Sequence, residues 1–479
     1  NALYIGPLFE SVGHGYETTD YYKLDSRLGD NEDLKKFVKE CHHQGIHVIF
    51  DGVFNHTGRD FFAFKDIQHN RESSQYRDWY CNVNFQGNNE YNDGFSYDNW
   101  GGYNLLLKFN QQNPAVRKYL LDVVKYWVSE FDVDGIRLDA ADVLDFGFMH
   151  ELRILANEIK PEFWLMGEVI HGDYSRWVNS DMLHSVTNYQ LYKALYSGHN
   201  EHNYFEIAHT VRYLLDKGNL PYHLYNFVDN HDVERIYTRL LNKHEFVPVH
   251  ILMYTLPGIP SVYYGSEFGI EGRKEKHSDV VLRPAINLED YPNALDENGC
   301  TNIIARLGEI RQKNSVFSDG IYQELRLTNR QYAFSRTNEI TQAIVVVNND
   351  EVDLSLDIPA TGTYTELLSG EIQSVDGNLH VHLHACSGQI WMEDYDETVT
   401  RKREVKIPEI KQVAVKEETI KQVTVDHSKS YEEMSIEELQ ACVLEKLAKN
   451  GPVTEQMKRD VANNVYHDSL INWVKSFQN

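Results

Sequence analysis

Four short stretches of the chain place carboxylates beside His or Arg directly after apolar runs. They are DGVFNH (51–56), GIRLDAAD (135–142), GEV (167–169) and FVDNHD (227–232). The last three supply the carboxyl groups of Asp139, Glu168 and Asp232. Two carboxyl groups can cleave a glycosidic bond when one attacks the anomeric carbon and the other protonates the leaving oxygen and later activates water. The residue types therefore predict glycoside hydrolysis, provided that the stretches meet in space.

The sequence also predicts how these groups are tuned. Side chains alternate between the two faces of a β-strand, so Arg137 and Asp139 share a face, where the guanidinium can hold the carboxylate ionised and oriented. Glu168 lies among apolar neighbours, which favour the protonated form that a general acid needs. Each residue alone is more often structural, because a strand-end Asp is commonly a cap and Arg137 could simply pair with a nearby acid. The whole set at strand ends is improbable by chance, which favours the functional interpretation.

A barrel of parallel strands would bring the four stretches together. Seven apolar or β-branched runs alternate with amphipathic, helix-like stretches; the runs cover 2–7, 46–56, 133–142, 163–169, 181–188, 222–232 and 258–265. Repeated strand–helix units of this length predict the α/β class and a TIM (β/α)8 barrel, whose active site lies at the C-terminal ends of the strands. Seven runs are one short of eight, and the chain opens directly on NALYIGP. We therefore expect the first strand and helix of the barrel to be missing from this chain.

The rest of the chain predicts three further parts. A long Asn-, Gly- and aromatic-rich insertion, 57–112, interrupts the barrel at 1–319, and alternating apolar and polar residues over 320–395 predict an antiparallel β-sandwich. Residues 396–430 are predicted to form a charged linker or an edge hairpin, and 431–479 a small helical appendage. Within the appendage, Ser435 and Glu438 form a capping-box pattern ahead of an apolar stripe.

Composition excludes several classes of partner. Lys and Arg number 46 against 72 Asp and Glu, a net charge of −26, which argues against a nucleic-acid partner. No run of about 18 apolar residues occurs, so the sequence predicts no membrane-spanning helix. The five cysteines are scattered and favour neither a disulfide framework nor a zinc site, which is typical of a reducing compartment and predicts a cytoplasmic protein.

The four stretches together resemble the signature regions of the α-amylase family, glycoside hydrolase family 13. Two further segments add to the similarity, GPLFESVGHGYETTDYYKLDSRLG (6–29) and GIPSVYYGSE (258–267), so that it covers roughly residues 1–395. The resemblance implies a retaining α-glucan hydrolase built on a barrel, with an inserted domain B and a β-sandwich domain C. It also implies that the family's first strand and helix precede Asn1.

The resemblance assigns roles by position. It implies that Asp139 is the nucleophile, Glu168 the general acid/base and Asp232 the carboxylate that stabilises the transition state. The residues that it implies for binding and orientation are Arg137, which orients the nucleophile, His56 and His231, which hydrogen-bond sugar hydroxyls, and Tyr16, which stacks under the sugar.

Departures from the family pattern bear on calcium and on substrate. Many α-amylases carry Lys-His after the nucleophile, where this chain has Asp142 and Val143, and that His also contributes to a conserved calcium site. Asn55 matches another calcium ligand, so a metal role is open for Asn55 alone, and we expect no cofactor to be required. The stretch LLKFN (106–110) resembles the neopullulanase and cyclomaltodextrinase version of domain B, with Leu107 in place of a proline.

Three functions remain open from the sequence. The first is hydrolysis of α-1,4-glucosidic bonds in starch, maltooligosaccharides or related α-glucans, in which α-amylase is not separated from cyclomaltodextrinase or neopullulanase. The second is transglycosylation, because a covalent glycosyl-enzyme can react with a sugar instead of water. The third is sugar binding by an inactive relative, against which stands the presence of all three carboxylates. The oligomeric state and the preference for chain length are not determined by the sequence.

Overall fold

A computed structural model of the chain describes residues 1–276, 278–394, 429–431 and 434–450, together with positions 461, 470 and 474. The chain divides into two compact units, Asn1–Lys411 and Gln412–Asn479. Among the described helices, none is both long and apolar enough to cross a membrane. All five cysteines lie in the described residues and none forms a disulfide.

The first part of the larger unit contains twelve short strands in its described residues. In chain order they are β1 (Ala2–Ile5), β2 (Phe9–Ser11), β3 (Thr18–Leu24), β4 (His47–Gly52), β5 (His56–Thr57), β6 (Asn99–Trp100), β7 (Tyr103–Lys108), β8 (Gly135–Leu138), β9 (Trp164–Gly167), β10 (Ser185–Val186), β11 (Tyr225–Asn226) and β12 (Ile259–Pro260). Strands β1, β4, β8, β9 and β10 pair in that order as one parallel sheet. A parallel bridge between Thr187 and Tyr225 leads on to β11, which pairs in parallel with β12. Each of the seven predicted runs thus contains one strand of this parallel series.

Eleven helices accompany these strands in the described residues. They are α1 (Asn31–His43), α2 (Phe62–Asn70), α3 (Pro114–Phe131), α4 (Phe146–Ile159), α5 (Tyr189–Asn200), α6 (Tyr204–Leu215), α7 (Ile236–Arg239), α8 (Phe246–Thr255), α9 (Ala294–Glu297), α10 (Gly299–Lys313) and α11 (Val316–Asp319). Their ends follow local chemistry, as α3 illustrates. Asn113 caps its first turn, Pro114 occupies a position where no N–H is needed, and Asp132 ends it in the left-handed conformation.

The core lies between the helices and the parallel strands. Helix α3 buries a stripe at helical spacing that includes Leu120, Val124 and Trp127. The Trp127 ring stacks on Phe9 with centroids 4.5 Å apart, and its indole N–H donates to the backbone oxygen of Tyr21 at 2.8 Å. This packing ties α3 to the β2–β3 hairpin and so fixes the loop that carries Tyr16.

The insertion after β4 forms a small layer of its own. Strands β5, β7 and β6 pair in that order as an antiparallel sheet, with α2 and an aromatic cluster beside it. Gly101 and Gly102 form the turn between β6 and β7 at φ values of +63° and +82°, a region that favours glycine. The insertion positions His56, because that residue lies in β5.

The last part of the larger unit is a six-stranded antiparallel sheet. Its strands are β13 (Ile321–Leu327), β14 (Gln331–Thr337), β15 (Gln342–Asn348), β16 (Leu354–Glu366), β17 (Ile372–Leu383) and β18 (Ser387–Glu393). They pair in the order β13-β14-β15-β18-β16-β17, so the predicted antiparallel sandwich is one continuous sheet that curls over its own core. Strand β17 lies at the edge of this order.

Strand β15 is buried on both faces, which explains its continuous apolar run. Ile344 and Val346 point into the core enclosed by the sheet, whereas Val345 and Val347 join the cluster that contains helix α8. Residues alternate between faces along a strand, so only a run without polar interruptions satisfies both contacts.

The second unit is described through helix α12 (Ile436–Asn450) and a few further positions. The predicted capping box is present: Glu438 N–H donates to Ser435 Oγ at 3.2 Å, and Ser435 N–H donates to Glu438 Oε2 at 2.8 Å. Leu439, Cys442 and Val443 form a small apolar cluster with residues at the three isolated positions. The predicted linker at 396–430 lies almost wholly outside the described residues, as does most of the predicted helical appendage after α12.

Candidate active site

A single buried arginine organises the carboxyl groups at the C-terminal ends of the strands. Arg137 Nη1 contacts Asp139 Oδ1 at 2.8 Å and the two oxygens of Asp51 at 3.0 and 3.1 Å. Its other terminal nitrogen, Nη2, contacts Glu168 Oε2 at 2.8 Å. The predicted pairing of Arg137 with Asp139 is therefore present, and the same guanidinium also holds Glu168. We refer to Asp51, Arg137, Asp139 and Glu168 as the arginine cluster.

The register of the parallel sheet places the arginine cluster. Asp51 on β4 and Arg137 on β8 are register partners, so their side chains are neighbours on the barrel. The backbone pairing continues one residue past each strand, because Asp139 N–H donates to Gly52 O at 3.1 Å and Glu168 N–H donates to Leu138 O at 2.9 Å. The two predicted catalytic carboxyl groups thus emerge where adjacent strands end.

A strained turn follows Asp139. Ala140 has φ +47°, in the left-handed region that residues with a Cβ avoid at a cost of about 1–3 kcal/mol. In this conformation its N–H donates to Glu168 Oε2 at 3.3 Å. The turn therefore links the residue after Asp139 directly to Glu168, and strained backbone of this kind is concentrated at functional sites.

The arginine cluster has more acid than base, and burial favours the protonated forms of Asp139 and Asp51. Burial raises the pKa of Asp139 well above its usual range and the charges of Glu168 and Asp51 add to this effect, whereas Arg137 opposes it. Burial also raises the pKa of Asp51 against the charge of Arg137. Burial therefore outweighs Arg137 and favours the protonated forms of Asp139 and Asp51, so the predicted contact of Arg137 with Asp139 is present but the prediction that it holds this carboxyl group ionised is wrong.

A second group lies beside the arginine cluster and contains Asp232. Tyr16 Oη lies 2.7 Å from His231 Nε2, and the same nitrogen lies 3.1 Å from Asp232 Oδ2. Arg283 Nη2 contacts Asp232 Oδ1 at 3.2 Å. Burial disfavours the charge of this carboxyl group, but His231, Arg137 and Arg283 outweigh burial and hold the pKa of Asp232 well below its usual range. Asp232 is therefore ionised, whereas burial favours the protonated forms of Asp139 and Asp51.

Tyr16 joins the two groups. Its hydroxyl also lies 3.4 Å from Asp51 Oδ2, so the same oxygen touches a member of the arginine cluster and His231. Its ring is nearly parallel to the imidazole of His231, with centroids 6.1 Å apart. The predicted stacking residue is thus held at the centre of the site.

His56 borders the site from the insertion. Burial lowers the pKa of His56 to about 4, against a hydrogen bond with the Tyr16 backbone, so the imidazole is neutral at pH 7. Its Nε2 atom is buried without a partner, while Nδ1 lies 3.2 Å from Asn55 Nδ2. The Trp100 ring lies 5.9 Å away and is 40% exposed. An unpaired buried nitrogen in this position is available to a substrate hydroxyl.

No cluster of carboxylate ligands surrounds Asn55 in the described residues. Calcium takes six to eight oxygen ligands, commonly carboxylates. The Asn55 side chain is engaged with His56, and within the described residues no group of three or more His, Cys, Asp or Glu ligands gathers around it. The prediction that no calcium is required therefore remains a prediction, with no step of the chemistry assigned to a metal.

The structure adds residues that the sequence reasoning missed. Tyr4 donates to Asp51 at 2.7 Å, Tyr189 lies 3.5 Å from Glu168 Oε1, and Arg283 holds Asp232. The sequence positions of Tyr4 and Tyr189 could have pointed to the site, because Tyr4 lies on strand β1 and Tyr189 begins helix α5 shortly after strand β10. Arg283 lies in a long loop without a periodic pattern, so no local signal points to it.

The fold and the site together define a class of protein. A barrel of parallel strands with paired carboxyl groups at one mouth is the arrangement of barrel glycoside hydrolases. Residues 1–309 match the family profile described as "Alpha amylase, catalytic domain", and residues 326–418 match "Alpha amylase, C-terminal all-beta domain". The chain belongs to the α-amylase family, glycoside hydrolase family 13. The predicted family and the predicted fold, a TIM barrel with a C-terminal β domain, are confirmed.

Two named relatives show what the chain is similar to. A cyclomaltodextrinase of Thermoanaerobacter pseudethanolicus is 34% identical over 359 residues, which are 73% of this chain and 60% of that protein. Neopullulanase 2 of Thermoactinomyces vulgaris is 30% identical over 406 residues, which are 81% of this chain and 67% of that protein. The chain thus spans about 60 to 67% of the length of these relatives.

Solved structures agree with this similarity. A cyclomaltodextrinase superimposes with a TM-score of 0.74 at 27% identity, covering 82% of this chain and 68% of the other. The debranching enzyme of Nostoc punctiforme gives a TM-score of 0.72 at 28% identity, covering 82% of this chain and 85% of the other.

Proposed function

We propose that this chain is a retaining glycoside hydrolase that cleaves α-1,4-glucosidic bonds of short α-glucans through a covalent glycosyl-aspartate. Asp139 is the nucleophile, Glu168 the general acid/base, and Asp232 the carboxylate that stabilises positive charge on the sugar. The observation that carries the proposal is the contact of one guanidinium, that of Arg137, with both Asp139 and Glu168 at 2.8 Å.

The shared guanidinium supports a retaining rather than an inverting reaction. Retaining enzymes hold their two carboxyl groups about 5–5.5 Å apart, whereas inverting enzymes separate them by about 6.5–9.5 Å to admit a water molecule. Two carboxyl groups bound to the terminal nitrogens of one guanidinium are held as neighbours, which favours the shorter separation of a retaining enzyme.

The reaction divides into two balanced steps. The first step starts from the form of the site in which Glu168 carries the proton and Asp139 is ionised. An Asp139 oxygen forms a bond to the anomeric carbon, the glycosidic C–O bond breaks, and Glu168 gives its proton to the leaving oxygen. In the second, Glu168 takes a proton from water, the water oxygen bonds to the anomeric carbon, and Asp139 is released. Asp232, ionised in the structure, stabilises the charge that develops in both transition states.

The substrate class follows from the relatives and from the neutral groups of the site. The similar proteins are named for cyclomaltodextrin and pullulan, both α-glucans. The neutral imidazole of His56 and the ring of Tyr16 suit hydroxyl groups and the apolar face of a sugar. We infer cyclomaltodextrins and maltooligosaccharides as substrates, and a neopullulanase-like action on pullulan as the second candidate.

The first experiment tests the nucleophile. The full chain and Asp139→Asn are incubated with maltoheptaose, β-cyclodextrin and pullulan, and the products are separated by chromatography. We expect short maltooligosaccharides from the unchanged chain and a fall in kcat of at least about 10³-fold in the variant, because an amide is not a nucleophile. Binding of maltoheptaose, measured by calorimetry, should be retained because the shape is unchanged.

Asp216→Asn is the matched control, since Asp216 is exposed at the end of α6 and far along the chain from the cluster. Near-normal turnover by Asp139→Asn would contradict the assignment. Products longer than the substrate would favour transglycosylation instead. A folded chain that binds sugar and releases no product would leave the third function, sugar binding, as the better interpretation.

A second measurement tests retention itself. Proton NMR during the first minutes of maltoheptaose cleavage reports the anomer that is released before mutarotation. Two displacements at the anomeric carbon preserve configuration, so the α-anomer is expected. Release of the β-anomer would contradict the covalent intermediate while leaving the hydrolase activity intact.

A further inference from the structure

Strand β17 presents a row of histidines on one face of the edge of the C-terminal sheet. His380 and His382 lie on β17 and His384 follows it, each two residues apart, so the three side chains point to the same side. All three are exposed, and the His384 side chain is 76% accessible. Strand β16 pairs antiparallel with β17 and adds polar groups to this face, with Ser355 opposite His382.

All three imidazoles are held in place by neighbours, and His382 and His384 are held close to each other. His384 Nδ1 lies 2.9 Å from Asp353 Oδ2, and Asp353 Oδ1 accepts the N–H of Ala385 at 2.8 Å. His382 Nδ1 lies 3.0 Å from Ser355 Oγ, which leaves its Nε2 as the free nitrogen. The His382 and His384 rings are 5.4 Å apart and nearly perpendicular. Hydrogen bonds of this kind fix the orientation and tautomer of metal-binding histidines.

We propose that Asp353, His382 and His384 form a surface site for a divalent transition-metal ion, with Zn²⁺ as the representative ion. One ligand atom from each of the three residues lies within 4.8 Å of the other two, the one such group of three His, Cys, Asp or Glu residues in the described part of the chain. Imidazole nitrogen and carboxylate oxygen are both zinc ligands, and three protein ligands with water in the fourth position form a complete tetrahedral shell. Hard ions such as Ca²⁺ and Mg²⁺ prefer oxygen ligands and are not favoured by two imidazoles.

Binding rearranges the protons of His384. The ion bonds to Nδ1 in place of the proton that this nitrogen shares with Asp353, that proton passes to solvent, and Nε2 takes a proton up from solvent, so the imidazole stays neutral. Imidazole binds a metal through an unprotonated nitrogen, so Zn²⁺ competes with protons for the site.

The site is independent of the proposed active site. Its three ligands lie at one end of the β16–β17 ladder, where Leu354 pairs with Leu383, and none belongs to the barrel. A bound ion would join the segment before β16 to the end of β17 and so restrain the edge of the sheet. The proposal therefore predicts a gain in thermal stability with Zn²⁺ and no change in the cleavage of glucans.

The experiment measures Zn²⁺ binding to the full chain by isothermal titration calorimetry at pH 7.5, after removal of metals with a chelator. His384→Ala and Asp353→Asn are compared with the unchanged chain. We expect one high-affinity Zn²⁺ to be lost, or its affinity to fall at least about tenfold, in each variant. His380→Ala is the matched control, because His380 lies on the same face but is paired with Asp357 at 2.6 Å.

The variants also separate binding from folding. Asp353→Asn keeps the size of the side chain, and circular dichroism without zinc checks that each variant is folded. Zinc should raise the melting temperature of the unchanged chain and of His380→Ala, and not that of His384→Ala. Equal Zn²⁺ affinity and stoichiometry in the unchanged chain and His384→Ala would overturn the proposal, as would a loss of the same size in His380→Ala.

Discussion

At the scale of single residues, the hydroxyl of Tyr16 connects the two halves of the site. It lies 2.7 Å from His231 and 3.4 Å from Asp51, while the ring supplies the surface predicted to stack under the sugar. These two contributions can be separated, because phenylalanine keeps the ring and loses only the hydroxyl.

We predict that Tyr16→Phe lowers kcat about tenfold with little change in KM, since one hydrogen bond of about 1.4 kcal/mol is lost at the reacting centre. Tyr16→Ala should lower kcat further and also raise KM, because the stacking surface is removed. Steady-state kinetics on maltoheptaose measures both effects. Equal kinetic constants in all three proteins would show that Tyr16 does not contact the substrate.

The sequence predicted a contact between site residues correctly where the two residues lie close together in the chain. The i, i+2 relation of Arg137 to Asp139 placed both on one face, and the structure shows the contact. Arg137 also contacts Asp51 and Glu168, and these contacts depend on the registers of three neighbouring strands. No local sequence pattern specifies those registers. Arg283 was missed as a partner of Asp232 because it is brought there by a loop, and loop conformation is set by the whole molecule.

At the scale of elements, the start of helix α8 carries a buried acid without an obvious role in catalysis. Glu245 is almost fully buried, its Oε1 lies 3.7 Å from His202 Nδ1, and its Oε2 has no partner. Burial raises the pKa of Glu245 from 4.5 to about 8, helped by Glu351 and opposed by Arg330. In the unfolded chain this carboxyl group would ionise at its ordinary pKa.

The folded state therefore binds the proton of Glu245 more tightly than the unfolded state. The stability associated with this proton is complete below about pH 4.5 and is lost as the pH rises through about 8, by about 1.4 kcal/mol per pH unit within that window. We predict that Glu245→Gln, which cannot ionise, becomes progressively more stable than the unchanged chain between pH 5 and 8.

Urea denaturation followed by tryptophan fluorescence measures this difference at each pH. Glu275→Gln, at an exposed position, serves as the control and should show no such trend. A constant difference between Glu245→Gln and the unchanged chain across this range would show that Glu245 is not protonated in the fold.

Secondary structure was largely predictable because it depends on local signals. Apolar runs marked the seven parallel strands, and the Ser435–Glu438 pattern marked the start of α12, where the capping hydrogen bonds are present. The continuous curl of the C-terminal sheet was not predictable in the same way. It depends on β16 pairing with both β17 and β18, a long-range choice that alternation alone does not specify.

At the scale of the whole molecule, the proposed chemistry needs no metal, while the proposed zinc site lies in the C-terminal sheet. We predict that an excess of EDTA changes kcat on maltoheptaose by less than about twofold, because no cluster of His, Cys, Asp or Glu ligands gathers around Asn55 in the residues that the structure describes. The same treatment should lower the melting temperature of a zinc-loaded sample. Loss of activity with EDTA, restored by calcium and not by zinc, would contradict the absence of a calcium requirement.

The double burial of β15 has a consequence for how such chains can be recombined. Val345 and Val347 face helix α8, while Ile344 and Val346 face the interior of the sheet. Cutting the gene between α8 and β13 would give two products. Each product would expose to water one half of the apolar contact between α8 and β15, and each would be prone to aggregate. We therefore expect the barrel and this sheet to fold stably only together, and a sheet transplanted from a relative to need the helix that packs against it in that relative.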